Sequence, residues 1–238
     1  PQGFVDSRVP NHVCKLVKSL YGLKQAPRAW NAKFTGVLPS MGFTVSQSDT
    51  SLFVKTDGED IVMLLLYVDD IILTGSNITK VQGVITALSE IFDLKDMGRL
   101  TYFLGLHIQY KDNGDMFLSQ TKYAQELIKR AGMENCRPAP TPSKPHTQLL
   151  LSAGHPLSDP SLYRSIVGAL QYLTFTRPDI AHSVNVVCQY MTAPTDAHMF
   201  LVKRILRYLQ GTLLCGLTYR SAPDIHISAY SDADWASD

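Results

Sequence analysis

Two adjacent carboxylates, Asp69 and Asp70, interrupt an otherwise apolar stretch over residues 61–73 of this 238-residue chain. Burying two unpaired carboxylates is very costly, so both must reach solvent, a cation or a metal. Hard oxygen ligands of this kind suit Mg²⁺, which binds through one or two carboxylates and completes its shell with water and phosphate oxygens. The apolar runs on either side read as two strands joined by a tight turn, which carries both acids to a hairpin tip. An Asp-Asp turn also forms without any metal, because aspartate tolerates turn conformations and bonds its own backbone. The pair taken alone leaves both readings open.

Other chemistry is thinly represented. Cys14, Cys136, Cys188 and Cys215 form no CxxC pair, and the seven histidines form no HExxH, so zinc and thioredoxin-like chemistry find no support. Such cysteines fit reduced thiols in an intracellular protein, with cytoplasm, nucleus and mitochondrion undistinguished. The net charge of +1 excludes a global attraction for nucleic acid, which would have to engage local basic patches. The longest apolar run, residues 61–68, is far short of the ~20 residues that span a bilayer, so no membrane partner is expected.

The elements around the acidic pair follow from patterning. Residues 13–20 alternate apolar and polar, as a half-buried strand does. A helix is predicted from about Ala29, with Trp30, Phe34, Val37 and Leu38 on one face and Pro39 ending or kinking it. Strands are predicted over 52–55, 61–68 and 71–73, with a turn at Asp57-Gly58. A helix over 78–92 repeats Ile78, Val81, Ile85, Leu88 and Phe92 at helical spacing, with Ser76 or Asn77 as its cap. A second hairpin is expected over 101–109 and 115–118, then a short helix capped by Ser119 and closed by Gly132. Residues 137–160 hold six prolines and no clear period, which suits a linker or extended connection. Helices near 161–175, 179–191 and 195–210 follow, then strands over 216–220 and 225–231.

The string Tyr67-Val68-Asp69-Asp70 between apolar runs resembles the signature tetrapeptide of reverse transcriptases, and YVDDIILTG resembles the Ty1/copia group of retrotransposons. Four further blocks are similar to that group, in order: YGLKQAPRAW over 21–30, YFLGLHI over 102–108, YRSIVGALQYLT over 163–174 and TRPDI over 176–180. Similar open reading frames occur in plant nuclear and mitochondrial genomes. The resemblance implies an RNA-directed DNA polymerase acting on an RNA template, a DNA primer and dNTPs within a longer Pol polyprotein. Asp69 and Asp70 would be two of three carboxylates holding two Mg²⁺ ions. Tyr67 would lie near the primer terminus. Tyr21, Gly22, Lys24, Gln25 and Arg28 would form the nucleotide-pocket floor, although Lys24 and Arg28 also read as plain surface charge. Phe103, Leu104 and Gly105 would position the primer. Lys203, Arg204 and Arg207 would track phosphates from a thumb-like helix, or form a solvated face. Trp30 reads as core before base-stacking platform, and Lys95 as a solvated helix end before proton donor.

The implied fold is α+β: a reverse-transcriptase palm over 1–135 with antiparallel sheet and helices, a Pro-rich linker over 136–160, a helical thumb or connection over 161–212, and the start of an RNase H-like domain over 213–238. In that last stretch Asp232 would match the first RNase H metal ligand. The family's third polymerase carboxylate belongs to a motif N-terminal to Pro1–Phe4, with the fingers. The expectation is therefore a segment inactive by itself; the alternative is a catalytically dead nucleic-acid-binding remnant or a pseudogene product.

Overall fold

The computed structural model describes residues 7–13, 15–20, 22–144, 153–221, 229 and 231. The chain divides into two compact units, Pro1–Gly98 and Arg99–Asp238. The architecture is mixed α/β with antiparallel sheets, as the sequence pattern requires.

In the first unit, β1 (Thr44–Val45), β2 (Leu52–Asp57), β3 (Asp60–Tyr67) and β4 (Asp70–Gly75) form an antiparallel meander in chain order. α1 (Ala26–Thr35) and a 3₁₀ turn (Leu38–Met41) precede it, and α2 (Ile78–Ile91) follows. Period-two alternation sends Val62, Leu64 and Leu66 of β3 to one face, where they are buried, and Ile61, Met63 and Tyr67 to the other, where they are exposed. The buried row joins Phe53, Phe34, Leu38, Phe43, Val81, Val84, Leu88 and Phe92 in one core. Each such side chain contributes about 1.5–3 kcal/mol on burial, so this face is what holds the helices to the sheet.

Local signals set most boundaries. α1 starts at Ala26, ahead of the predicted Ala29, because Pro27 sits in its first turn, where a missing N–H costs nothing. Pro39 converts the continuation into the 3₁₀ turn. Asn77 caps α2 by accepting from the Thr79 N–H at 3.0 Å, while Ser76 donates instead to Asp60. One expectation fails. No strand forms among the described residues of 13–20, and Val13, Leu16, Val17 and Leu20 are exposed. Alternation makes a strand only where a neighbouring strand satisfies the backbone, and none of the described strands pairs with this segment.

In the second unit, β5 (Tyr102–Phe103), β6 (Leu106–Tyr110), β7 (Met116–Ser119) and β8 (Leu217–Tyr219) form a second antiparallel sheet in that order. α3 (Thr121–Arg130), α4 (Ser161–Leu173), α5 (Ala181–Cys188) and α6 (Asp196–Gly211) pack their apolar faces into a core around Tyr163, Ile166, Leu170, Val184, Val202 and Leu206. Ser119 does not cap α3: it is the buried last residue of β7, and Gln120 takes the cap position without a side-chain bond. Strand pairing to His107 claims Ser119 before the helix can. Gly132 closes α3 as expected, at φ +65°, with its N–H to Lys129 and that of Met133 to Ile128. The helix expected over 179–191 is a 3₁₀ turn (Pro178–Ile180) leading into α5. Thr195 and His198 cap α6 reciprocally.

The described part of the Pro-rich stretch lies along α6. Arg207 Nε donates to the Arg137 carbonyl at 2.7 Å, and Arg204 Nη2 donates to Thr141 Oγ1 at 2.7 Å. The strand predicted over 225–231 falls almost wholly outside the described residues, as do Tyr21 and Asp232. Among the described residues no helix is long and apolar enough to cross a membrane.

Candidate functional site

The β3–β4 hairpin pairs Tyr67 with Asp70, so Val68 and Asp69 are the two turn residues and Asp70 opens β4. The acidic pair thus straddles the end of the turn. Pleat alternation puts Tyr67 and Asp70 together on the open face of the sheet, opposite the core row. Tyr67, Val68, Asp69 and Asp70 are all exposed. Among the described residues the carboxylates of Asp69 and Asp70 have no hydrogen-bond or ion-pair partner, which contrasts with the other end of β3. There Lys80 Nζ bridges Asp57 at 2.9 Å and Asp60 at 3.0 Å, and its hydrogen bonds hold both carboxyls below the usual range.

The turn is strained. Val68 has φ +55°, a left-handed conformation disfavoured for a β-branched residue. A positive φ at the first central residue and not the second is the pattern of a type II′ turn, normally taken by glycine. The Val68 carbonyl accepts the Trp30 indole N–H at 2.6 Å. Trp30 belongs to α1, so the segment over 22–30 meets the acidic hairpin here. Gly22, at φ +87°, lies just upstream, and Lys24, Gln25 and Arg28 are exposed around the start of α1. The sequence reads Trp30 as core before stacking platform; the structure uses it as a bridge between core and turn.

Phe103, Leu104 and Gly105 lie in the second unit, where Leu104 and Gly105 are the turn of the β5–β6 hairpin with φ +47° and +83°. Positive φ at both positions is the type I′ pattern. The Leu104 carbonyl accepts from Tyr172 Oη of α4. No local sequence signal marks Tyr172 for that contact, which spans 68 positions. Lys203 is exposed on α6, whereas Arg204 and Arg207 are half-buried and bonded to the stretch beside them. Lys95 is exposed just beyond α2.

Two exposed carboxylates at a tip suit an Mg²⁺ ion that takes part of its shell from phosphate oxygens rather than from an all-protein cage. Among the described residues no three His, Cys, Asp or Glu side chains gather in metal-binding range. Chemically, the tip offers negative charge and oxygen ligands, with basic residues on the segment that Trp30 joins to it.

The family described as reverse transcriptase (RNA-dependent DNA polymerase) matches residues 1–145. Over all 238 residues the chain is 48% identical to the retrovirus-related Pol polyprotein from transposon RE1 of Arabidopsis thaliana, of which it covers 16%. It is 50% identical to an uncharacterized mitochondrial protein of the same plant over 174 residues, 73% of this chain and 71% of that one. It is 31% identical to a putative transposon Ty5-1 protein of Saccharomyces cerevisiae, covering 98% of this chain and 76% of the relative. No solved structure matches the chain.

Proposed function

Because the chain belongs to the reverse transcriptase (RNA-dependent DNA polymerase) family, we propose that it supplies palm-type catalytic machinery to a retrotransposon polymerase that adds dNMP to a primer 3′-hydroxyl on an RNA template. The observation that carries this reading is the exposed Asp69–Asp70 pair on a hairpin tip tied to α1. Asp69 and Asp70 would hold the metal, with Tyr67, beside Asp70 on the same face, lining the primer end. Bound there, Mg²⁺ ions would activate the primer hydroxyl and neutralise charge on the leaving pyrophosphate. Lys24 and Arg28 offer positive charge to the incoming triphosphate, with Gly22 and Gln25 shaping the approach, and Tyr21, outside the described residues, completing that segment.

In the second unit, Phe103, Leu104 and Gly105 are assigned to the primer strand and Lys203 and Arg207 to phosphates. Arg207 does this with the guanidinium nitrogens that the Arg137 carbonyl leaves over. On the same reading residues 1–135 are palm, 136–160 linker, 161–212 thumb or connection, and an RNase H-like segment with Asp232 follows over 213–238.

The test is primer extension on an RNA template with Mg²⁺ and four dNTPs, using the chain alone, the chain with the remaining Pol segments, and Asp69→Asn in both settings. Extension that the substitution abolishes supports the reading. Primer-template binding without extension in either setting would instead favour a nucleic-acid-binding remnant. Neither binding nor extension would overturn a polymerase role for this chain.

A further inference from the structure

Among the described residues only two non-glycine residues have positive φ, Val68 and Leu104, and each is the first turn residue of a hairpin. Each also gives its carbonyl to an aromatic side chain on a helix, Val68 to Trp30 and Leu104 to Tyr172. A strained backbone state persists only when its surroundings over-determine it. At the exposed Val68, water alone could satisfy the carbonyl, but water does not fix a direction.

Trp30 can fix one because its ring is anchored. The indole lies 5.3 Å from Phe34 and 5.5 Å from Phe92, and those two rings lie 5.1 Å apart. Phe34 is 0% exposed and Phe92 7%, so the anchor is the core of the first unit. The ring carries that rigidity outward to its N–H, which meets the Val68 carbonyl at 2.6 Å. Without that bond nothing offsets the cost of positive φ at Val68, and a return to negative φ would change how Asp69 and Asp70, the next two residues, sit relative to one another.

We propose that Trp30 is a positioning residue for the acidic pair, its indole N–H latching the Val68 turn in the backbone state that presents Asp69 and Asp70 together to a divalent cation. The proposal deepens the metal-binding reading of that pair and rests on it. The latch acts on backbone geometry rather than on charge, through the Val68 carbonyl.

The test uses ¹⁵N-labelled full-length chain titrated with Mn²⁺, whose paramagnetism broadens amide signals near where it binds. Asp69→Asn assigns the broadening to the pair. In Trp30→Phe, which keeps an aromatic ring on Phe34 and Phe92, the Val68, Asp69 and Asp70 amides should shift. Half-maximal broadening should then need about threefold to tenfold more Mn²⁺, the range that one net hydrogen bond is worth. Adding Val68→Gly to Trp30→Phe should recover most of the affinity, because glycine takes positive φ without a latch. A purely structural role for Trp30 would not respond to that second substitution. Unshifted tip amides, unchanged Mn²⁺ affinity, or no recovery with glycine would overturn the latch. Absence of broadening at Asp69 and Asp70 in the parent would overturn the metal reading, while the tip-amide shifts would still decide the latch.

Discussion

Removing Asp179 should destabilise the second unit more than removing its partner Arg177, although the two lose the same ion pair. Arg177 Nε and Nη2 bond Asp179 Oδ1 and Oδ2 at 2.9 and 2.7 Å. Arg177 also donates to the Thr212 carbonyl at 2.9 Å and Thr212 Oγ1 at 2.6 Å, and Tyr208 Oη donates to Asp179 Oδ2 at 2.8 Å. The network thus ties the 3₁₀ turn at Pro178–Ile180 to the end of α6. The asymmetry lies in burial: the arginine side chain is 4% exposed and the aspartate 38%. Asp179→Ala strands a guanidinium away from water, the case in which breaking a buried pair costs about 3–5 kcal/mol. Arg177→Met keeps the volume and leaves an aspartate that water and Tyr208 can still reach, so the loss is nearer the ~1.5–3 kcal/mol of hydrogen bonds to a charged group. Urea unfolding followed by far-UV circular dichroism measures both, and the double variant gives the coupling through a thermodynamic cycle. If Arg177→Met proved as damaging as Asp179→Ala, or more so, burial would not be the deciding quantity and this reasoning would fail.

The same network predicts an acid response. Burial pushes the Asp179 carboxyl up, but the bonds from Arg177 and Tyr208 outweigh it and hold the folded value below the ordinary 3.8. Its stabilisation is therefore complete above 3.8 and lost as pH falls through the lower folded value, and Asp179→Asn should flatten that part of a stability–pH curve. Gly75→Ala should lower the unfolding free energy of the first unit by about 1–3 kcal/mol, read in urea as a lower midpoint with an unchanged slope, because an added Cβ would lie 2.6 Å from the Ile61 carbonyl oxygen. Tyr163→Phe should cost about 0.5–1.5 kcal/mol in the same assay, since the fully buried hydroxyl donates to the Val187 carbonyl at 2.7 Å; a neutral result would show that water takes its place.

Much of this protein is legible in local chemistry. An apolar run with period-two burial had to become β3, and two acids inside it had to surface at a tip, because no core tolerates them unpaired. Asn77, Gly132 and Pro39 marked boundaries by side-chain capping, positive φ and a missing N–H, all properties of single residues. Where residue type depends on a partner, the pattern misled. Residues 13–20 have a strand's alternation but no described strand pairs with them, and Ser119 has a cap's chemistry but a place in β7. Only the tertiary structure decided that Trp30 reaches Val68 across 38 positions and that Tyr172 reaches Leu104 across 68. Sequence determines what a residue can donate, accept or avoid; which carbonyl it meets depends on how helices and sheets stack, and that is set by the summed burial of many side chains rather than by either partner.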